Sequence, residues 1–552
     1  MNDNKEDIKF DDEKQNTRKN YYKAPNLNIS FKHKVGIIAA LFAVIVLVLV
    51  IYMPILNPVY RQSIWMFLIL ITLCYVAIAR EKTKFQYIIF TYVLTVVVLF
   101  VSSTPILWSG KYYEMLGSVS EESYAENPPK IDDSKIPVVD QSLAETLGDK
   151  MLGEGLGLGS QYTVGEYYFI TTADDLAWVA PLEPLSFFKW YQNREGAPGY
   201  VYVSATNPSD VRLVTQVNGQ DIKLKYTNQS YWFKNIKRHV YLNGNMTTGL
   251  TDFSFEIDDA GNPYWVVTTY APAFNVFAGR QATGVVTVDA QTGETIRYGI
   301  DDDMPAWVER VWPTKFIMEQ IEYYGYYKNG WLNSVITQKE MVRPTDGFSY
   351  VFIEGKPYMY TGLTSVQSDQ STVGMMIVSL RDKTSYFYKL TGATERAAMA
   401  SSEGQVQQFQ YQATFPILLN VYGEPTYFMT LKDAEGLVKQ YAFVSVENYD
   451  VVGIGDTVNS ARQDFYGTLK DTGKLVKEDT TDIKEQTKVV DRINIIDGLA
   501  YIKFVGDENF YMCETDISRE LLLTQKGDEI TFKVSNESGD TIRILEFENK
   551  QL

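Results

Sequence analysis

The sequence contains very little cysteine and histidine. Its 552 residues include two cysteines, Cys74 and Cys513, and two histidines, His33 and His239. Cys74 lies in an apolar run far from Cys513, so no internal disulfide is expected to stabilise the fold. A single histidine outside the N-terminal region cannot build a multi-histidine metal site. The sequence therefore predicts no catalytic, cofactor-binding or metal-binding residue, and no cofactor; His239 and Cys513 are interpreted as structural.

Motifs for nucleophilic and phosphate chemistry are also missing. The sequence has no Gly-x-Ser-x-Gly, no P-loop and no Gly-x-Gly-x-x-Gly after a predicted strand. The glycine-rich residues 153–159 follow a predicted helix, whereas phosphate binding needs a strand that leads into a helix N-terminus. We interpret them as a hinge. Carboxylate chemistry stays open, because acidic residues are numerous and their pairing depends on the fold.

Positive charge is scarce after the N-terminal region. The whole chain has a net charge of −17, and the residues after Lys111 carry a net charge near −23. Such a surface repels nucleic acid, so no nucleic-acid partner is expected. Cationic partners are more compatible with it.

Three runs without a charged residue stand out near the N-terminus, between residues 35 and 110. Each can cross the hydrocarbon core of a bilayer, which predicts three transmembrane helices at about 35–56, 62–79 and 85–108. The middle run is short, and a hairpin of buried soluble helices is its alternative. Residues 1–34 mix both charge signs and are predicted to be a disordered cytoplasmic tail.

Basic residues flank the predicted spans unevenly. Arg80, Lys82 and Lys84 separate the second span from the third. The first span is preceded by Arg18, Lys19, Lys23, Lys32 and Lys34. Because lysine and arginine stay on the cytoplasmic side, the pattern predicts a multi-pass protein of the cell membrane with a cytoplasmic N-terminus and an extracytoplasmic C-terminal region. A large exterior without disulfides is typical of a Gram-positive bacterial cell envelope.

A β-hairpin pattern repeats four times between residues 161 and 470. The first strands of the four hairpins span 199–204, 284–289, 374–379 and 440–445, and three of the strands before them open with Gly-x-Pro at 261–263, 355–357 and 423–425. Helical spacing follows at 307–324, 393–409 with Thr394 as N-cap, and 458–469. Residues 111–160 are predicted to be a linker with a short helix, and 471–488 a second linker.

The segment GVVTVDAQTGE at 284–294 resembles the closing hairpin of PepSY domains. This resemblance implies a helix packed on an antiparallel sheet and a protein-binding or regulatory role, with no catalytic motif. Four strand candidates at 489–552 predict a small β-barrel of the oligonucleotide/oligosaccharide-binding or SH3-like type. The predicted fold class is α+β: a three-helix membrane anchor, tandem sheet and helix repeats, and a C-terminal barrel.

Two features could serve as ligand sites and also have structural explanations. Residues 301–303 are three aspartates, which could bind Ca²⁺ weakly, but they lack the ligand spacing of a calcium loop and are interpreted as a cap for a helix near Pro305. The many aromatic residues could form a platform for a glycan or peptide. Trp178 and Trp265 are assigned to packing, because alternating aromatic residues bury a large area.

Three functions are compatible with the sequence. The first is an extracytoplasmic binding or scaffold protein whose repeats contact another envelope or membrane protein, or a peptide or glycan. The second is an envelope hydrolase or glycan-modifying enzyme with paired carboxylates, which requires an acidic pair of perturbed pKa in a concave site. The third is an accessory subunit of a membrane secretion or transport complex.

Overall fold

The structure is a computed structural model. It describes most of the chain from residue 47 onward, and all structural statements below concern these residues. The ranges are 47, 49–78, 85–131, 135–154, 157–172, 176–274, 278–353, 356–366, 368–472, 484–496, 499–507, 509–515, 517–534 and 541–552.

The three-helix anchor predicted at 35–110 is wrong. Among the described residues, one helix is long and apolar enough to cross a membrane, Gln86–Leu116, and the helix before it provides only a shorter apolar stretch, Arg61–Thr72. The multi-pass localisation rested on three crossings and is therefore wrong as well. The helix Arg61–Ile78 covers the predicted middle run, but its apolar stretch, Arg61–Thr72, is shorter than the roughly 20 residues that a crossing needs. Most of the predicted first span and the predicted tail at 1–34 lie outside the described residues.

The predicted α+β class is also wrong, since the described chain is mainly β. Four antiparallel sheets follow one another, and a closed barrel of five strands comes last. The barrel strands are Lys484–Ile496, Leu499–Phe504, Phe510–Glu514, Glu529–Val534 and Thr541–Asn549.

The four sheets share one topology. In each, a first position pairs with a second strand, the second pairs antiparallel with a third strand, and the third pairs antiparallel with a fourth. In the first, third and fourth sheets, two short strands share the first position. In chain order the strands are Tyr162–Val164, Tyr168–Thr171, Leu176–Pro184, Tyr200–Ser204 and Val211–Val214 in the first sheet; Gly249–Ile257, Pro263–Phe274, Ala278–Asp289 and Thr295–Gly299 in the second; Val342–Pro344, Ser349–Ile353, Lys356–Ser365, Ser368–Ser379 and Ser385–Ala393 in the third; and Gln412–Ala413, Ile417–Val421, Glu424–Lys432, Val438–Ser445 and Val452–Gly455 in the fourth.

One further strand joins the third sheet from far away in the chain. Val119–Ser123 pairs in parallel with Ser385–Ala393, so that residue 119 faces residue 385. The segment that follows the apolar helix is thereby fixed to the edge of this sheet.

A glycine marks the same point of the hairpin in three sheets. A Cβ at Gly199, Gly284 or Gly374 would lie 2.0–2.4 Å from a carbonyl oxygen of the partner strand, and Gly199 and Gly284 have φ of +146° and +149°. No other residue type fits such a close approach. Close backbone contact between the third and fourth strands therefore explains why glycine recurs at positions 199, 284 and 374.

We expect Gly284→Ala to lower the free energy of unfolding by about 2 kcal/mol, because alanine meets both a backbone clash and an unfavourable φ. Chemical denaturation followed by circular dichroism would measure the change. Gly467→Ala is the matched control: Gly467 is exposed in a helix with nothing near its added Cβ. This control should be stabilising by about 0.5–1 kcal/mol. Equal effects of the two substitutions would contradict the explanation.

Helices pack beside the sheets. Thr394 begins its helix as predicted, with its hydroxyl accepting a hydrogen bond from the Ala397 amide. The helix predicted from 307 begins only at Thr314, and the aspartates at 301–303 do not cap it; Asp302 instead accepts a bond from the Gly299 amide in a turn. Pro313, as the residue before the helix, sets that start.

The α-helices of the described chain are Arg61–Ile78, Phe85–Ser103, Pro105–Tyr113, Gln141–Glu154, Phe187–Gln192, Ile236–Leu242, Thr314–Tyr327, Gly330–Leu332, Glu395–Gln405 and Val458–Asp471.

Candidate functional site

The first strands of the four sheets meet around one cavity of about 610 Å³, which we call the central cavity. Tyr168, Asp252, Tyr350 and Ile417 lie one on each of these strands and all line it. This arrangement resembles a β-propeller, in which four-stranded sheets surround a central channel. The start of the helix Gln141–Glu154 closes part of the wall. A volume of this size suits a small-molecule ligand.

Asp252 enters the cavity from an irregular strand. The pairing between the first and second strands of the second sheet shifts at this point, where Phe253 and Thr251 have consecutive partners and Asp252 has none. Asp252 has φ of +48°, which is unfavourable for a residue with a side chain. Bulges of this kind re-aim side chains next to binding sites, and strained residues cluster there. The strain makes Asp252 a candidate functional residue.

Arg310 faces Asp252 from the segment before the helix Thr314–Tyr327. Its Nε lies 3.9 Å from Asp252 Oδ2, and the two side chains are 13% and 23% exposed. Its Nη2 donates to the Tyr350 hydroxyl at 3.3 Å and, at 3.5 Å, lies at the limit of a hydrogen bond to Thr314 Oγ1. Neither Arg310 Nε nor Asp252 Oδ2 has a hydrogen-bond partner among the described residues. A buried donor and a buried acceptor are thus presented side by side, and leaving each unpaired costs about 1–3 kcal/mol.

Aromatic rings form much of the cavity wall. Phe169 of the first sheet stacks on Tyr350 of the third, with ring centroids 4.9 Å apart and planes 7° from parallel. Trp178 donates its Nε1 hydrogen to the Val139 carbonyl at 2.7 Å, so its polar atom is satisfied and its ring faces Phe169. Packing therefore fixes the walls before any ligand binds.

Acidic groups outnumber basic ones along this wall. Asp140, Glu145, Glu166 and Asp252 line it, against Arg310 as the one basic residue of the described lining. Asp140 is paired with Lys432, and Glu166 accepts a hydrogen bond from the Tyr168 hydroxyl at 3.1 Å. Hydroxyl groups at Ser142, Thr314, Ser349, Thr414 and Thr430 also line the cavity.

A second group of carboxyls lies buried near the cavity wall and does not line it. Glu309 donates its backbone amide to Glu256 Oε2 at 3.3 Å and accepts from the Thr171 amide at 2.9 Å. Burial raises the pKa of Glu256 to about 7; burial and then the nearby Glu256 charge raise the pKa of Glu309 to about 8. Burial likewise raises the pKa of Glu183 to about 7. The hydrolase hypothesis requires raised pKa values in the concave site itself, and these three side chains are not part of its lining.

The residues singled out from sequence lie elsewhere, apart from Trp178. His239 Nε2–H donates to the Gly293 carbonyl at 2.8 Å, and burial lowers its pKa. Cys513 is buried in the C-terminal barrel, and Trp265 is fully buried with its Nε1 hydrogen donated to the Tyr226 carbonyl at 2.8 Å. Among the described residues, no three His, Cys, Asp or Glu side chains form a group that could hold a metal ion.

Sequence reasoning missed Asp252 and Arg310. The sequence Asp252-Phe-Ser-Phe-Glu-Ile257 places acidic and apolar side chains alternately, which is ordinary for a strand with one polar face. The bulge that turns Asp252 into the cavity has no glycine or proline to mark it. Arg310 is far away in the sequence and reaches Asp252 only through packing.

Comparisons with known proteins provide no family for the chain. No family model and no curated protein matches it. Similar solved structures include a levansucrase of B. megaterium, at 11% identity over 79% of this chain and 97% of that chain with a TM-score of 0.18. A GH32 beta-fructofuranosidase of Bombyx mori has 10% identity over 70% of this chain and 65% of that chain, with a TM-score of 0.16. TM-scores this low support no conclusion on fold or activity. The PepSY resemblance at 284–294 stays a prediction.

Proposed function

We propose that the chain is a glycan-binding protein whose ligand occupies the central cavity. The observation that carries the proposal is the adjacent pair of Asp252 Oδ2 and Arg310 Nε, both buried and without a hydrogen-bond partner among the described residues. A carboxylate only accepts and a guanidinium only donates. A sugar hydroxyl can do both, so neighbouring hydroxyls on one ring satisfy the pair.

The walls fit the same class of ligand. Aromatic faces pack against the C–H surfaces of sugar rings, and the partly exposed Tyr350, backed by the buried Phe169, provides such a face in the lining. Glu145 and Glu166 add acceptors at the side of the cavity, while Thr414 and Thr430 add hydroxyls. An anionic ligand is disfavoured, because acidic groups dominate the wall.

We expect Asp252→Asn to weaken glycan binding at least tenfold, since a hydrogen bond to a charged group contributes about 1.5–3 kcal/mol. Titration calorimetry of the full chain against soluble oligomers of glucose, N-acetylglucosamine and fructose would measure it. Asp210→Asn is the matched control, because Asp210 forms an ion pair with Arg212 outside the cavity lining. Absence of binding by any oligomer, or equal binding by both variants, would refute the proposal.

Hydrolysis of the bound glycan is the second candidate. Glycosidases use two carboxyl groups on either side of the scissile bond. Glu166, in the loop before the strand Tyr168–Thr171, and Asp252, on the first strand of the second sheet, both line the cavity and are the pair we assign to that role. Glu166→Gln should abolish release of reducing sugar while the oligomer still binds. Binding without any product in the wild-type chain would leave a binding protein and exclude the enzyme.

A further inference from the structure

An exposed apolar segment lies beside the end of the long apolar helix. Residues 330–337, here called the apolar loop, comprise the short helix Gly330–Leu332 and the π-helix Asn333–Thr337. Leu332, Val335 and Ile336 are 65%, 58% and 72% exposed. Three neighbouring aliphatic side chains this exposed indicate a contact surface.

Local hydrogen bonds hold the apolar loop in shape. Asn329 and Asn333 each donate a side-chain N–H to the Lys339 carbonyl, at 3.1 and 3.0 Å, and Asn333 Oδ1 accepts the Lys339 amide at 3.0 Å. Gln338 and Glu340 follow with φ of +50° and +56°. Strain of this kind persists only where the surrounding structure enforces it, and π-helical turns are frequent at functional sites. The exposed side chains are therefore presented by a defined structure.

The depth of the apolar loop relative to a bilayer follows from the apolar helix next to it. Within Gln86–Leu116 the regular helix ends at Ser103, and Pro105 begins a second one after the extended residue Thr104. The 19 residues Phe85–Ser103 measure about 28 Å at 1.5 Å per residue, against about 30 Å for the hydrocarbon core of a bilayer. The part Phe85–Ser103 matches that core, which leaves Pro105–Tyr113 at the level of the lipid headgroups. Lys111 in this part has a side chain that is 57% exposed and is a residue type typical of that level.

The first part of the apolar loop, Gly330–Leu332, packs against Pro105–Tyr113. The apolar loop therefore lies at the depth of the lipid headgroups. Lys339, whose side chain is 77% exposed, follows it closely. A lysine in such a position extends its charge into the headgroup layer while the apolar neighbours insert below.

We propose that the apolar loop inserts into the interfacial layer of a lipid bilayer beside the helix Gln86–Leu116. A protein occupant is disfavoured by size, because three aliphatic side chains bury far less than the roughly 800 Å² per partner of a stable protein interface. Continuity with the apolar helix selects the bilayer. The loop thus provides a second contact with lipid, formed by residues more than 200 positions after the helix.

Quenching by spin-labelled lipid tests the proposal. The full chain carrying Ile336→Cys, in a Cys74→Ser/Cys513→Ser background, is labelled with bimane and reconstituted in phosphatidylcholine vesicles that contain lipid with a nitroxide near the headgroup. We expect quenching at position 336 at least threefold stronger than at Phe409→Cys, which is 54% exposed on a turn before the fourth sheet. Val335→Cys repeats the measurement if the first variant does not fold.

Equal quenching at both positions would overturn the proposal. A label at 336 that becomes shielded from water without quenching by the spin-labelled lipid would also overturn it, since a protein would then cover the loop. The glycan titration does not depend on either result.

Discussion

Replacing Arg310 with methionine is expected to lower the free energy of unfolding by about 3–5 kcal/mol. The guanidinium is buried and faces Asp252, whose side chain is mostly buried as well. Glu256, which is almost completely buried, interacts with the same charge. Methionine keeps most of the volume but leaves these carboxylates without their cation. Removing one partner of a buried ion pair costs more stability than the complete pair contributed, because the remaining charge is then buried without compensation.

Urea unfolding monitored by tryptophan fluorescence would measure this loss. Arg212→Met provides the control, because Arg212 and Asp210 form an exposed ion pair whose removal should change stability by less than about 1 kcal/mol. Adding Glu256→Gln to Arg310→Met should recover part of the loss, since one of the stranded carboxylates is then neutral. A loss below 1 kcal/mol for Arg310→Met, or no recovery in the double variant, would show that the arginine does not balance these carboxylates.

The buried carboxyls make the fold less stable as pH rises. Burial raises the pKa of Glu256 to about 7 and the pKa of Glu309 to about 8, above the values that glutamate has in an unfolded chain. At pH values between the unfolded-state pKa and the folded-state pKa of these groups, the folded state binds more protons than the unfolded state. The free energy of unfolding therefore falls with increasing pH. The stabilisation that Glu256 and Glu309 contribute is complete below about pH 4.5 and is lost as pH rises to about 8. The rise of the pKa from 4.5 to about 7 in Glu256 and to about 8 in Glu309 corresponds to about 3 and about 5 kcal/mol.

Glu309→Gln should flatten this dependence, because glutamine stays neutral at every pH. Unfolding midpoints measured at pH 5, 7 and 9 for the variant and the wild type would show the difference. Glu435→Gln is the control, since Glu435 is exposed on a turn in the fourth sheet. Its pH profile should follow the wild type. A Glu309→Gln profile as steep as that of the wild type would contradict the assignment.

Local features of this fold were readable from sequence, and the cavity was not. The helix cap at Thr394 and the close backbone approach at Gly284 each depend on one residue and its neighbours in sequence. A local sequence pattern can therefore indicate them. The number of crossing helices depends on the length of the apolar stretch in each helix, and the uncharged run between residues 62 and 79 has one that ends at Thr72. Asp252 and Arg310 meet through the packing of sheets around a common centre, and no spacing in the sequence encodes that meeting.

The parallel pairing of Val119–Ser123 with Ser385–Ala393 affects how the chain can fold during synthesis. The first of these strands leaves the ribosome about 260 residues before its partner exists. At about 5–20 residues per second, it waits roughly 13–50 seconds with its backbone groups unpaired. The third sheet therefore completes late, and a truncated product ending before residue 385 would leave this strand open to pairing with other chains.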